Sequence, residues 1–520
     1  MFKKTYAAIF ALLLSVLTFT GVSVVHATEA STEVTIKFVG DEAKTAGFAQ
    51  SEITVKPGND IEKEGYFLVY YTDGSKVLSD YDEAVCIKKN GNKTVKGFIG
   101  DGRMLPENAK AIAVFESKVN YFTEAPDIKN ALAVAEFPEY KCLLNLGEAE
   151  FSFGALSDTH MNYEPYNRGA YAKLLYSMNF FAEQKMDAVI ISGDVVGDRG
   201  ENPDLEAQYK KHEEILNESQ FPIEKVYEGA GNHGNTPKDI ALLDKNLGGA
   251  DEIHPYENSP YFHVVFKGKN GASDNVFIFM AQEMNAPGDS AKYDNFSKDQ
   301  IDWLENLLND EKIASSNLFF IIHSPFLGFG AGDIENGTYG ACITFKEEYT
   351  QNMRLKALLE KHKKAVVFSG HTHVTFYDNA NYSDVNNEFA RTVHIGSNCQ
   401  PCGYGEGDSM QRSFDGKREV TPEYGSEGYT VTVYSDYIVF NGYNFSTGKK
   451  IPAACLILPV TPYGSDGAPD DSIPKPESNV ESEADTQTAQ GGNGWWIWVA
   501  IAAVAVIAAV VAVVLIKKRS

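Results

Sequence analysis

The chain has 520 residues, 43% of them hydrophobic and 22% charged, with 71 acidic against 46 basic side chains for a formal net charge of -25. A surface so acidic repels phosphate backbones, which excludes binding of long nucleic acid through a broad basic face. The six cysteines are too few for a chain of this length to be a disulfide scaffold, even where export permits disulfides.

Residues 1–27 read as a secretory signal peptide. Lys3 and Lys4 precede an apolar run from Tyr6 to about Val25, and Val25-His26-Ala27 fits the small-residue cleavage rule, so the mature chain is expected to start near Thr28. Residues 28–144 are predicted to form a small all-β sandwich module. Val34 to Phe38, Tyr66 to Tyr70 and Ala111 to Phe115 are strand-like runs, and Asp73-Gly74, Asn90-Gly91 and Asp101-Gly102 supply turns. This stretch holds no His and no cluster of ligand residues, so it reads as a non-catalytic module that shapes a cleft rim or binds a partner.

Over residues 145–460 strands alternate with helical segments, which argues for an α/β fold. Ser297 with Gln300 predicts a capping box, followed by Ile301, Leu304, Leu307 and Leu308 on one helical face. Leu355, Leu358 and Leu359 mark a second helix after Thr350. Strands from Leu318 to Ile322 and from Ala365 to Phe368 follow these helices, and ligand sites in open α/β sheets form at such C-terminal strand edges. The β pattern returns in Tyr429 to Val433 and Tyr437 to Phe440, on either side of a turn at Ser435-Asp436. Cys399-Gln400-Pro401-Cys402 has no second Cys pair and does not open a helix, so it reads as a local disulfide or as plain thiols.

Residues 461–494 are rich in Pro, Ser, Gly and acid and cannot bury a core, which predicts a disordered acidic stalk with an r.m.s. reach of about 30 Å. Residues 495–516 read as a transmembrane helix, an apolar run of about 20 residues with Trp495, Trp496 and Trp498 at its entry. Lys517, Lys518 and Arg519 then mark 517–520 as a cytoplasmic basic tail. The expected product is a single-pass cell-surface protein with its central part outside the cell.

Five short motifs follow strand-like runs: Asp158-Thr159-His160, Gly193-Asp194, Gly231-Asn232-His233, His323 and Gly370-His371-Thr372-His373. In an extended segment residues i and i+2 project to one side, so Asp158 with His160, and His371 with His373, can each point into one cleft. Asp194 brings two carboxylate oxygens that could bridge two cations, Asn232 an amide oxygen and His323 an imidazole nitrogen. Mixed nitrogen and oxygen donors suit Mn, Fe or Zn rather than an oxygen-only Ca or Mg cage. Two such ions would let a water lose a proton near neutral pH and attack phosphorus in line, with His233 donating a proton to the leaving group. Each motif alone is weak; their joint occurrence in this order carries the reading.

These residues resemble the calcineurin-like metallophosphoesterase family. The resemblance implies a metallophosphoesterase-type β-sandwich flanked by helices, with two divalent or trivalent metal ions. By it Asp158, His160 and His373 would serve one metal, Asn232, His323 and His371 the other, and Asp194 both, with His233 as the catalytic acid. The β module ahead of this domain is similar in layout to purple acid phosphatases. Three positions depart from the family pattern. Gly197 stands where the purple enzymes carry a Tyr ligand. Asp198 comes one residue after the usual place of a second Asp and is followed by Arg199, a candidate phosphate contact. Gly234 stands where many members carry an acid that orients the His.

The expected activity is that of an extracellular, membrane-anchored phosphomonoesterase acting on a small phosphorylated substrate. The alternatives are a phosphodiesterase on cyclic nucleotides, nucleotides or lipid head groups, and a surface adhesin on a decayed hydrolase scaffold. Against decay, all seven ligands and His233 are present. Tyr163, Tyr166, Arg168 and the Gly-rich loop from Phe326 to Gly340 are further candidates to reach the substrate. His212 and His362 read as solvated helical residues; His254, His263 and His394, near candidate loops or strands, read as structural, with lining of the cleft as the alternative.

Overall fold

In the computed structural model, residues 31–38, 51–59, 61–99, 106, 108–118, 125–137, 146–161, 169–197, 204–233, 251–257, 259–282, 295–328, 342–376, 382–383, 389–401 and 425–460 are described. The expected signal peptide (1–27), stalk (461–494), membrane helix (495–516) and basic tail (517–520) lie outside the described residues. Among the described residues no helix is long and apolar enough to cross a membrane.

The N-terminal strands are β1 (Glu33–Phe38), β2 (Ser51–Lys56), β3 (Tyr66–Thr72), β4 (Val85–Lys88), β5 (Val95–Ile99), β6 (Ala111–Ser117) and β7 (Ala133–Glu136). They form two antiparallel sheets, in the orders β1-β2-β5 and β4-β3-β6-β7. Alternate side chains fill the space between them, Val34, Ile36, Ile53 and Val55 from one sheet against Phe67, Val69, Ile112 and Val114 from the other. The Asp73-Gly74 turn closes through Asp73 Oδ1, which accepts the N–H of Ser75 at 2.8 Å and of Lys76 at 2.9 Å.

The next elements are β8 (Phe151–Leu156), α1 (Ala170–Glu183), β9 (Ala188–Ile191), α2 (Leu205–Glu218), β10 (Val226–Glu228), β11 (Phe262–Phe266) and β12 (Asn275–Met280). Then come α3 (Lys298–Leu308), α4 (Glu311–Ala314), β13 (Asn317–Ile322), α5 (Thr350–Lys361), β14 (Val366–Ser369), β15 (Tyr382–Ser383) and β16 (Arg391–His394). β17 (Glu427–Val433), β18 (Tyr437–Asn444), β19 (Lys449–Lys450) and β20 (Leu456–Pro459) complete the series. One sheet runs β10-β9-β8-β17-β18-β19 with β20 on β18, and the other runs β11-β12-β13-β14-β16-β15.

The two sheets face each other across an aromatic core. Phe153, Ile190, Tyr429 and Val431 of the first belong to one buried cluster with Phe277, Phe279, Phe319 and Phe368 of the second. Because side chains alternate along a strand, Val276, Ile278 and Met280 point the other way and pack on Ile301, Leu304, Leu355 and Leu359 of α3 and α5. Val189 and Ile191 do the same against Leu174, Met178 and Leu216 of α1 and α2. Strands covered on both faces read as continuous apolar runs. The result is the α/β architecture expected, two facing sheets flanked by helices and preceded by an all-β module.

One detail differs from expectation. Ser297 does cap α3, its Oγ accepting the Gln300 N–H at 3.2 Å. The Gln300 side chain, however, leaves the cap and takes both backbone groups of Ala281, accepting its N–H at 3.0 Å and donating to its carbonyl at 2.9 Å. Ala281 lies just past β12 and is buried, so its peptide groups need partners that no neighbouring strand supplies. The N-terminal module also meets the hairpin at β19, where Asp82 N–H donates to the Lys450 carbonyl at 2.8 Å and Lys450 N–H to the Asp80 carbonyl at 2.9 Å.

Candidate metal centre

All five motifs leave the C-terminal ends of parallel strands: Asp158 and His160 follow β8, Asp194 β9, Asn232 and His233 β10, His323 β13, and His371 with His373 β14. Beyond the strand ends the first two loops stay paired. Asp158 N–H donates to the Gly193 carbonyl at 3.1 Å, His160 N–H to Asp194 at 3.0 Å, and Met161 N–H to Val195 at 2.8 Å.

The backbone in these loops is strained. Asp158, His160, Asp194, His371 and His373 have φ of 53°, 42°, 53°, 67° and 55°, and among the other described non-glycine residues only Lys185 and Asp251 have positive φ. This left-handed conformation costs about 1–2 kcal/mol per residue, and strain of this kind clusters at functional sites. The motif glycines answer to crowding. A Cβ on Gly231 would stand 2.0 Å from Asp194 Oδ1, and one on Gly370 would stand 1.8 Å from Ser157 Oγ.

Six of the seven side chains converge in two groups. Asp158, His160 and His373 form one group and Asp194, His323 and His371 a second, the potential ligand atoms of each lying within 4.8 Å of one another. In the first, His373 Nε2 lies 3.1 Å from Asp158 Oδ1 and 3.1 Å from His160 Nε2. In the second, His323 Nε2 lies 3.1 Å from Asp194 Oδ2. Each carboxylate has one oxygen committed. Asp158 Oδ2 accepts from Ser157 Oγ–H and from the His371 N–H, while Oδ1 turns to the histidines. Asp194 Oδ1 accepts the His233 N–H at 2.8 Å, while Oδ2 is 3.1 Å from His323 of one group and 3.9 Å from His160 of the other. Oδ2 is thus the oxygen of Asp194 that faces both groups.

The electrostatics favour the state a cation needs at the two carboxylates, His160 and His371, and pull His323 the other way. Burial pushes the Asp158 carboxyl up, but the His373 and His323 rings outweigh it and hold it well below the usual carboxylate range. Asp194 is likewise raised by burial and lowered further by His323, ending below its ordinary value. Burial pushes His371 down to about 4, helped by His323, and also lowers His160. For His323 burial is outweighed by Asp194 and Asp158, which raise it. Anionic carboxylates and neutral imidazoles are the metal-binding forms. The donor set also fits ions on a second count: Asn232 Oδ1 and both ring nitrogens of His371 are buried and make no hydrogen bond. Buried polar atoms are normally satisfied, and a cation satisfies such lone pairs.

Other expected site residues fall variously. His233 lies beside both groups, its ring edge-on to His160 at 5.3 Å and its Nε2 3.8 Å from Asp194 Oδ2. Arg199, Asp198, Gly234, Tyr163, Tyr166 and Arg168, and most of the loop from Phe326 to Gly340, lie outside the described residues. At Gly197 both backbone groups are taken by Gln208 of α2, whose Oε1 accepts the N–H at 2.8 Å and whose Nε2 donates to the carbonyl at 3.0 Å.

The expectation of a solvated His212 is wrong. It is 0% exposed, with Nε2 2.6 Å from Glu228 Oε1 at the end of β10, because it lies one turn from Gln208 on the face of α2 that meets the sheet. His362 is half-buried. His254 is held between Glu252 and the Ser259 carbonyl, and His263 is part of β11. His394 donates from Nε2 to the Val374 carbonyl at 3.1 Å, beneath the turn that carries His371 and His373. Two supporting residues carry no signal in the sequence. Ser157 is one, linking Ser192 to Asp158; the other is Glu427 of β17, which accepts from Thr375 Oγ–H at 2.6 Å and from the Phe376 N–H at 2.8 Å.

Residues 151–375 match the family model described as calcineurin-like phosphoesterase. No curated protein matches the chain. Among solved structures, a dimetal phosphatase of Danio rerio is 14% identical, with 60% of this chain and 100% of that one covered at a TM-score of 0.42. The phosphoesterase Yfce of E. coli is also 14% identical, covering 60% of this chain and 100% of its own at a TM-score of 0.26. A cold-active protein-tyrosine phosphatase of a psychrophilic Shewanella is 11% identical over 81% of this chain and 99% of that one, at a TM-score of 0.21.

Proposed function

We propose that this chain, in which residues 151–375 belong to the calcineurin-like phosphoesterase family, is a two-metal phosphomonoesterase that works at the outer surface of a cell. The enzyme class follows from the family, a metal-dependent phosphoester hydrolase; substrate, ligand roles and location are our reading. One observation carries it: two groups of His and Asp donors face one another, with Asp194 Oδ2 within 3.9 Å of a histidine of each.

Asp158, His160 and His373 would hold one ion, Asn232, His323 and His371 the other, and Asp194 both. Bound there, the ions supply Lewis-acid charge and a water acidified to near neutral pH. The protein's own part is to fix the donors and to handle the leaving group. His233, anchored by its N–H to Asp194 Oδ1, is assigned the proton donated to the leaving oxygen. A dianionic monoester gains more from two adjacent cations than a monoanionic diester does, which favours the monoester. With a net charge of -25 elsewhere, an anionic substrate would be drawn by the ions themselves. Arg199, close after Asp194 in sequence, is proposed to contact the phosphate. The location rests on the sequence at 1–27 and 495–516, read as signal peptide and membrane helix.

The test is hydrolysis of p-nitrophenyl phosphate and bis-p-nitrophenyl phosphate by the full-length protein in detergent, with Mn, Zn or Fe added. Metal-dependent turnover that favours the monoester and is lost in His233→Ala supports the reading. A preference for the diester assigns a phosphodiesterase, and absence of turnover with no metal bound returns the adhesin alternative. Protease shaving of intact cells that leaves the protein untouched would contradict the location.

A further inference from the structure

Behind the first ligand group runs the segment 397–400, which contains the start of the Cys-Gln-Pro-Cys sequence. Asn398 N–H donates to the Ser157 carbonyl at 2.9 Å and Cys399 N–H to the Asp158 carbonyl at 3.1 Å, so the segment extends the strand end that carries Asp158. Ser397 Oγ also reaches the Asp158 carbonyl, at 3.2 Å, and accepts the Gln400 N–H at 2.9 Å. The Gln400 carbonyl then lies 3.2 Å from His373 Nδ1. A carbonyl has no proton to give, so His373 carries a proton on Nδ1, and Nε2 is the nitrogen that faces Asp158 and His160. A second bond of this kind fixes both the tautomer and the tilt of a metal-binding imidazole.

The back of the segment is fastened to α1 by two residues one turn apart. Lys173, 1% exposed, donates from Nζ to the Cys399 carbonyl, and Ser177, 0% exposed, accepts from Asn398 Nδ2 at 2.7 Å. Because a peptide group is planar, holding the Cys399 carbonyl and the Gln400 N–H fixes the plane from which the Gln400 carbonyl departs. Taking an ammonium out of water is costly, and a hydrophobic side chain of similar volume would fill a helix face shared with Leu174 and Met178 at less expense. The lysine is thus better explained by what it aligns than by what it stabilises.

We propose that Lys173 is a positioning residue for the metal site of Asp158, His160 and His373, acting through the Cys399-Gln400 peptide on the orientation of His373. This rests on the two-metal reading. It also gives the Cys-Gln-Pro-Cys segment a use in which its backbone, not sulfur chemistry, matters.

The experiment compares full-length wild type, Lys173→Met and Ser177→Ala by Mn(II) titration followed with electron paramagnetic resonance, by kcat and KM for p-nitrophenyl phosphate, and by thermal unfolding of the metal-stripped proteins. In Lys173→Met one of the two Mn ions should bind more weakly by about 10-fold or more, as for lost supporting partners of ligating histidines. The apoprotein should unfold no earlier than wild type, and at limiting Mn kcat should fall with KM little changed. Ser177→Ala, which removes the neighbouring anchor without a charge, should shift the same ion to a smaller extent, and it carries the test should Lys173→Met fail to fold. Wild-type affinity for both ions and wild-type kcat in the variant that folds would overturn the proposal. So would an apoprotein destabilised with metal binding intact, which marks a purely structural lysine. Wild type that binds no Mn would instead sink the two-metal reading itself.

Discussion

The backbone N–H of His371 donates to Asp158 Oδ2 at 2.9 Å, so the last ligand loop in the sequence is tied directly to the first carboxylate. With Ser157 Oγ–H on the same oxygen, that position faces two proton donors and must be an acceptor. In Asp158→Asn the amide oxygen has to occupy it, which turns the NH2 towards His160 and His373 where a cation would need a lone pair. The variant should lose metal at this group and lose turnover by about 100-fold or more, the scale seen when a principal electrostatic contact is removed. Metal content and kcat on p-nitrophenyl phosphate check it.

Gly231 sits so close to Asp194 that there is no room for a methyl group. Gly231→Ala should displace the Asp194 carboxylate, lower stability by about 1–3 kcal/mol through overpacking, and abolish metal-dependent turnover. Urea unfolding of the apoprotein together with activity measures both; an active Gly231→Ala protein would contradict the packing described here.

Glu427 holds the turn after His373 through two acceptor oxygens, one for Thr375 and one for Phe376. Gln in its place keeps only one acceptor and sets an NH2 against a buried donor. Glu427→Gln should therefore cost about 1–3 kcal/mol, the penalty for an unsatisfied buried donor, and should weaken metal binding as the turn loosens. Chemical denaturation with and without Mn separates the two effects.

Stripping the ions leaves two buried carboxylates and five ring or amide donors packed together. The holoprotein should be more stable than the chelated one, by about 2.7 kcal/mol when free metal is 100 times its Kd. A melting temperature independent of Mn or Zn would count against binding at these residues.

The strands bearing the motifs were legible because they are buried on both faces and read as unbroken apolar runs, as in Leu318 to Ile322. The helix opening at Ser297 was legible because its cap is local. Lys173, Glu427 and His212 were not, since each is defined by a partner far away in sequence: Cys399, Thr375 and Glu228 respectively. On a helix rich in Lys and Glu the only local mark of burial at His212 is its helical spacing from Tyr209, Ile215 and Leu216. The left-handed backbone at Asp158 and His371 was equally hidden, because such φ values are imposed by the loops' pairing with neighbours rather than by residue type. The six converging side chains could be picked out as candidates for the opposite reason: that choice needs only residue type and a strand before it.

The central claim is a pair of ions sharing Asp194, and the most direct test is to count them. Mn(II) titration of the metal-free full-length protein, read by electron paramagnetic resonance, should show two ions per chain with the signal of an exchange-coupled pair, and Asp194→Asn should lose that coupling together with turnover. A single uncoupled ion in the wild type, or a coupled pair that survives in Asp194→Asn, would contradict the account.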